Sequence, residues 1–76
     1  MSIDDNSFKE FQKSIGERVK YLRVLRGLSQ LDLAVNCGYE KTTISRIENG
    51  RANITLKTIL KLSNGLEIEP HLLLKT

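Results

Sequence analysis

The stretch GLSQLDLAVNCGYEKTTISRIENG, from Gly27 to Gly50, constrains the fold more than any other part of the chain. It reads as two short helices joined by a tight turn. Ser29 is a good N-cap for the first, because its hydroxyl can accept a bond from an unpaired amide in the first turn. Asp32 adds a favourable negative charge near the same helix end. Leu31, Leu33, Ala34 and Val35 supply apolar contacts. Gly38 stands where a left-handed residue would end the helix. The pattern predicts helices over 30–37 and 41–49, with Gly50 stopping the second.

The second helix has two unlike faces. At about 100° per residue, Lys41, Thr42, Ser45, Arg46 and Asn49 fall on one arc, and Ile44 and Ile47 fall opposite. One face is apolar and packs inward. The other carries two cations, hydroxyls and an amide, with no carboxylate. Glu48 sits at the border, nearer the inner face. An amphipathic surface helix alone would give this pattern. Preceded by a short capped helix and a glycine-containing turn, it is the helix-turn-helix pattern, in which the second helix enters the major groove of DNA.

The chain resembles the lambda-repressor and Cro class of helix-turn-helix proteins, the XRE family. The resemblance rests on Gly27-Leu28-Ser29-Gln30, Leu33-Ala34, Gly38 and Thr43-Ile44-Ser45-Arg46-Ile47-Glu48-Asn49-Gly50. Leu56, Ile59, Leu62 and Leu66 continue it into a fourth helix. It spans about Ile15 to Leu74, and each short motif is weak alone but strong in this order and spacing. It implies an all-α, compact five-helix lambda-repressor-like domain occupying residues 1–76, with 1–6 as a flexible tail.

A pass along the chain is consistent with that. Phe8, Phe11, Ile15, Val19, Leu22 and Leu25 recur at helical steps, which predicts a first helix over 7–26 capped by Asn6 or Ser7. Thr55 is a plausible cap for a helix over 56–66, with Gly65 in its last turn. Pro70 suits the first position of a fifth helix over 70–75. No strand pattern stands out.

Arginine can donate two parallel bonds to O6 and N7 of guanine, and a threonine methyl can meet a thymine methyl. Lys41, Thr42 and Arg46 are therefore the expected base contacts, in positions that hold the main base-reading side chains of related proteins. The resemblance assigns Gln30 a phosphate contact and a role in bracing the recognition helix. Thr43, Ser45, Asn49, Arg51, Asn53 and Thr55 are the other expected backbone contacts, which set register and give affinity without sequence choice. Local capping is the competing role for Asn53 and Thr55, a spectator role for Ser45, and a phosphate contact for Lys41 and for Arg46, which could also be a solvated surface arginine. Because a carboxylate facing DNA would repel it, Glu48 is assigned by the resemblance to an ion pair with Arg23 of the first helix.

There are two departures from the family. Glu40 stands where Ser, Thr or Asp normally caps the second helix of the motif; it can turn away, or accept a bond from a cytosine N4 amino group. Glu67 sits where glycine often ends the fourth helix. Cys37 replaces a usual leucine and is expected to be a small core hydrophobe.

Composition bounds the remaining classes. The chain has 76 residues, 39% of them hydrophobic, with 12 Lys plus Arg against 9 Asp plus Glu. That allows one small core, marginal without good helix packing or a dimer. The basic excess is modest, but Lys41, Arg46, Arg51, Lys57 and Lys61 fall in 41–61 against Glu48 alone. No segment has a membrane span's run of apolar residues, and no signal peptide is visible. A single cysteine fits a reducing cytoplasm. One His (His71) and one Cys assemble no zinc set, and no catalytic constellation is present, so neither an enzyme nor a cofactor is expected. Tyr21 and Tyr39 form no stacking platform for single strands.

One recognition helix reads few base pairs. Family members therefore bind palindromes as dimers, and the three leucines of PHLLLK cannot all face one core. Ile68, Leu72 and Leu73 are the expected homodimer interface. The expected partners are double-stranded operator DNA and a second copy, with RNA polymerase blocked by the bound dimer or contacted from an adjacent site. The run from Arg51 to Lys57 is especially like the controller proteins of restriction–modification systems. The alternatives are a phage-type repressor and an antitoxin-like module whose helices bind a partner protein.

Overall fold

The computed structural model describes residues 4–75. Among them are four α-helices and one short 3-10 helix: α1 (Asp5–Leu25), α2 (Gln30–Cys37), α3 (Lys41–Glu48), α4 (Leu56–Leu66) and the 3-10 helix Pro70–Leu73. No strand occurs among the described residues. The architecture is all-α, as expected, but the fifth α-helix is not formed. The segment after Pro70 closes i→i+3 bonds instead, with the Leu72 amide donating to the Glu69 carbonyl at 3.1 Å and the Leu74 amide to the His71 carbonyl at 3.1 Å. A run of four residues, Pro70–Leu73, is the length at which 3-10 bonding is common and α-helix is not.

The first helix also starts earlier than expected. Asp4, not Asn6 or Ser7, is its cap, accepting from the Ser7 amide at 2.7 Å. Asp5 and Asn6 are thus helical rather than part of a tail, while 1–3 lie outside the described residues. A helix of 21 residues is about 31 Å long, longer than the body it packs on. Ile15, Val19 and Leu22 are accordingly buried, whereas Phe8 and Phe11 stay half exposed and Leu25 is exposed. The predicted stripe is real as a pattern, but only its middle meets the core.

The core is drawn from every helix: Ile15, Val19 and Leu22 from α1, Leu33, Ala34 and Cys37 from α2, Ile44 and Ile47 from α3, Leu62 and Leu66 from α4, and Leu73. Leu73 was an expected interface residue. It is fully buried within the single chain, so it cannot reach a second one. Its side chain is the plug that the 3-10 turn lays against α4.

The motif's turn is closed by Gly38, which adopts φ 74°, ψ 30°, while its amide and the amide of Tyr39 bond back to Val35 and Ala34. Only a residue without Cβ takes that left-handed conformation without penalty. Glu67 occupies the equivalent place after α4 with φ 57°, ψ 47°. The departure from glycine there leaves the turn intact, with the Ile68 amide reaching the Ser63 carbonyl at 2.9 Å.

Candidate nucleic-acid interface

The recognition helix is held from behind. Ile44 and Ile47 are buried among α1, α2 and α4 residues, and α3 packs on both α1 and α2. Its C-terminal turn approaches α1 at Gly16, where an added Cβ would collide with the Ile47 carbonyl oxygen and lie 2.9 Å from that of Glu48. The sequence carried a signal for this contact, an isolated glycine in the middle of a long helical pattern.

Glu48 is buried at the same junction. Its Oε2 accepts from Arg23 Nε at 2.6 Å and its Oε1 from Arg23 Nη2 at 3.1 Å, a two-point contact with side chains 11% and 2% exposed. Arg23 also donates from Nη1 to the Leu28 carbonyl at 2.7 Å, fixing the turn that precedes α2. The brace that the resemblance implied for Gln30 is a bond to this carboxylate: Gln30 Nε2 donates to Glu48 Oε1 at 3.1 Å. The first residue of α2 and the last of α3 are thereby joined through the carboxylate that also holds α1. Among the described residues no buried side-chain nitrogen or oxygen lacks a partner. Satisfied in this way, the charge pair orients elements rather than destabilising the interior.

What remains outside is the polar arc of α3. Lys41, Thr42, Arg46 and Asn49 are exposed, while Thr43 and Ser45 are half buried. Asn49 forms the C-cap, its amide nitrogen 3.5 Å from Ser45 Oγ. An α-helix with its side chains is about 10–12 Å across, a diameter that the B-DNA major groove, about 12 Å wide, admits. Gln30 stands half buried at the N-terminus of α2, where the Ser29–Asp32 capping box closes the first turn. The Ser29 amide, which donates to the Asp32 carboxyl, and next the neighbouring Ser29 hydroxyl hold that carboxyl below its ordinary value. Arg51, Asn53 and Thr55 follow α3 on exposed backbone, and Thr55 also caps α4 by accepting from the Thr58 amide at 3.2 Å. Capping and a phosphate contact by the Thr55 hydroxyl are compatible. Glu40 is the N-cap of α3 and makes no side-chain capping bond.

The cations do not all serve one face. Lys61 places its ammonium 4.9 Å from the centre of the Tyr39 ring, and Arg18 lies 5.4 Å from that of Tyr21. Arg18 Nε also donates to the Leu72 carbonyl at 2.8 Å, tying α1 to the 3-10 turn. Lys41, Arg46, Arg51 and Lys57 are the exposed cations of 41–61. Cys37 is buried among core residues, and desolvation raises its thiol pKa above the usual 9.0. Among the described residues no group of three or more His, Cys, Asp or Glu could hold a metal ion, and no helix is long and apolar enough to cross a membrane.

Comparison with known proteins agrees with this geometry. Residues 19–73 match the family model described as Helix-turn-helix. The chain is 38% identical over 60 residues to the control protein C.BamHI of Bacillus amyloliquefaciens, covering 78% of this chain and 74% of that one. It is 32% identical over 66 residues to a hypothetical transcription factor of Neisseria meningitidis, where the match takes in 87% of this chain but only 62% of the relative. The crystal structure of the restriction–modification controller protein C.AhdI from Aeromonas hydrophila superposes with a TM-score of 0.79 at 39% identity, covering 82% of this chain and 94% of that one. The two-helix motif braced by Arg23 and Glu48, and a match that runs from the middle of α1 through the 3-10 turn, place the chain in the XRE-type helix-turn-helix family.

Proposed function

We propose that this chain is a sequence-specific, double-stranded DNA-binding transcriptional regulator of the restriction–modification controller kind, acting in the cytoplasm as a dimer on a palindromic operator. The observation that carries this reading is the exposed polar arc of α3, set on a buried ion pair that fixes its orientation. Lys41, Thr42 and Arg46 read base edges. Gln30, Thr43, Ser45, Asn49, Arg51, Asn53 and Thr55 track the phosphate strand. Gln30 Nε2 has two hydrogens, and Glu48 takes one, which leaves the other for a phosphate oxygen.

The second copy binds through Ile68 and Leu72, both half buried in the single chain. Exposed Leu60 adjoins Ile68 and Pro70 around one surface hollow, and it joins that interface in place of Leu73. The bound dimer either blocks RNA polymerase or contacts it from a neighbouring site.

Selection of bound duplexes from a random library, with Arg46→Ala run alongside, tests the reading. The expected result is a two-fold symmetric site that loses its preference at one base pair per half-site in the variant. Recovery of no consensus would instead favour a module that binds a partner protein, with the basic face reduced to generic phosphate attraction.

A further inference from the structure

We infer that Glu40 is a specificity-determining residue that selects one cytosine in each half-site, its carboxylate accepting a hydrogen bond from the N4 amino group in the major groove. The inference rests on the DNA-binding reading above and extends it to a residue of the wrong charge for a phosphate.

Three acids lie between Gly27 and Leu66: Asp32, Glu40 and Glu48. Two of them have work inside the chain. Asp32 accepts from the Ser29 amide at 2.9 Å and completes the capping box. Glu48 takes Arg23 and Gln30. The Glu40 carboxylate has no hydrogen bond and no ion pair among the described residues, and the residue is exposed. Its structural task is done by its backbone, whose carbonyl accepts from the Thr43 amide at 3.0 Å and the Ile44 amide at 3.3 Å.

The position matters. Glu40 has extended backbone, φ −85° and ψ 155°, and is exposed, so it stands outside the buried column of Ile44 and Ile47. It immediately precedes Lys41 and Thr42. A free carboxylate there is repelled by phosphate. Against DNA it is tolerated only where it meets a donor. Cytosine N4 and adenine N6 are the major-groove donors, but adenine sets its N7 acceptor beside N6, so cytosine is the base that Glu and Asp accept from, whereas guanine O6 and thymine O4 are acceptors that would face the carboxylate across an unfavourable contact. The same charge therefore attracts one base and rejects others.

The test repeats the duplex selection with Glu40→Ala and then measures Kd on the selected site against a copy in which the implicated C·G pair is replaced by T·A. Because the side chain makes no bond within the fold, the variant is expected to melt like the parent. The wild-type protein should discriminate between the two duplexes by about tenfold, and Glu40→Ala should bind both alike while keeping its preferences elsewhere. If the variant binds every duplex more tightly and its base preferences are unchanged, the carboxylate is merely repulsive and the inference fails. If the wild-type protein itself yields no consensus, the operator reading fails first, a result distinct from the loss of one preference.

Discussion

Glu67 holds a left-handed conformation, φ 57°, that opposes its Cβ by about 1–2 kcal/mol. Its backbone carbonyl, which accepts from Arg26 Nη2 at 2.9 Å, does not depend on the side chain. Glu67→Gly should therefore raise stability by about 1 kcal/mol after allowance for the added freedom of the unfolded chain. Urea titration would show it as a higher midpoint at an unchanged slope. Gly16 is the opposite case. Its helical φ suits any residue, and alanine would normally favour the helix. Here the new methyl meets two backbone carbonyls of α3, which cannot rotate away. Gly16→Ala should destabilise by about 1–3 kcal/mol or more and weaken DNA binding, because the recognition helix must shift to make room.

Between elements, the junction of α1, α2 and α3 turns on one carboxylate. Truncating either Arg23 or Glu48 to alanine leaves the other charge buried and should cost about 3–5 kcal/mol. A double-mutant cycle should return a large coupling energy, and zero coupling would rule the pair out as a structural tie. Glu48→Ala carries a further consequence that Arg23→Ala does not, the release of Gln30 from its bond. At the start of α2, the capping box makes a pH-dependent contribution. The Asp32 carboxyl is held below its ordinary 3.8 by bonds from Ser29, so the charged form is the one the fold favours. Its contribution is present above the ordinary value and is lost as pH falls through the depressed one. Acid titration of helicity should show a shallower low-pH limb in Asp32→Asn than in the parent.

For the whole molecule, the decisive quantity is association. Exposed Leu60 and half-buried Ile68 and Leu72 would be covered by a second chain, and sedimentation at high micromolar concentration should report a dimer. Ile68→Glu should leave a monomer with much weaker operator binding, since the two recognition helices then act singly. Binding should also weaken steeply with salt through counterion release. Arg51→Ala, which removes one expected phosphate contact, should lower the slope of log K against log salt by about one without altering base preference.

Much was legible before any tertiary structure. The pairing of Ser29 with Asp32, Gly38 at the turn and Thr55 before α4 are local devices, written within three or four residues, and they bound α2, α3 and α4 almost to the residue. The polar arc of α3 followed from helical period alone. The Arg23–Glu48 pair was reached through family likeness, since no spacing rule joins residues 25 apart. Other features needed the assembled body. A helical stripe does not say how far its helix outruns the core, so Phe8, Phe11 and Leu25 could not be told from Ile15 and Val19. Three consecutive leucines do not say which one faces inward; the 3-10 turn rather than an α-helix decided it, and buried Leu73. Gln30 reaching Glu48, Lys61 resting on Tyr39 and α3 closing on Gly16 are meetings of distant residues. Short-range propensity determines where helices begin and end, but which side chains touch depends on how those helices cross, and that is settled only when they share one core.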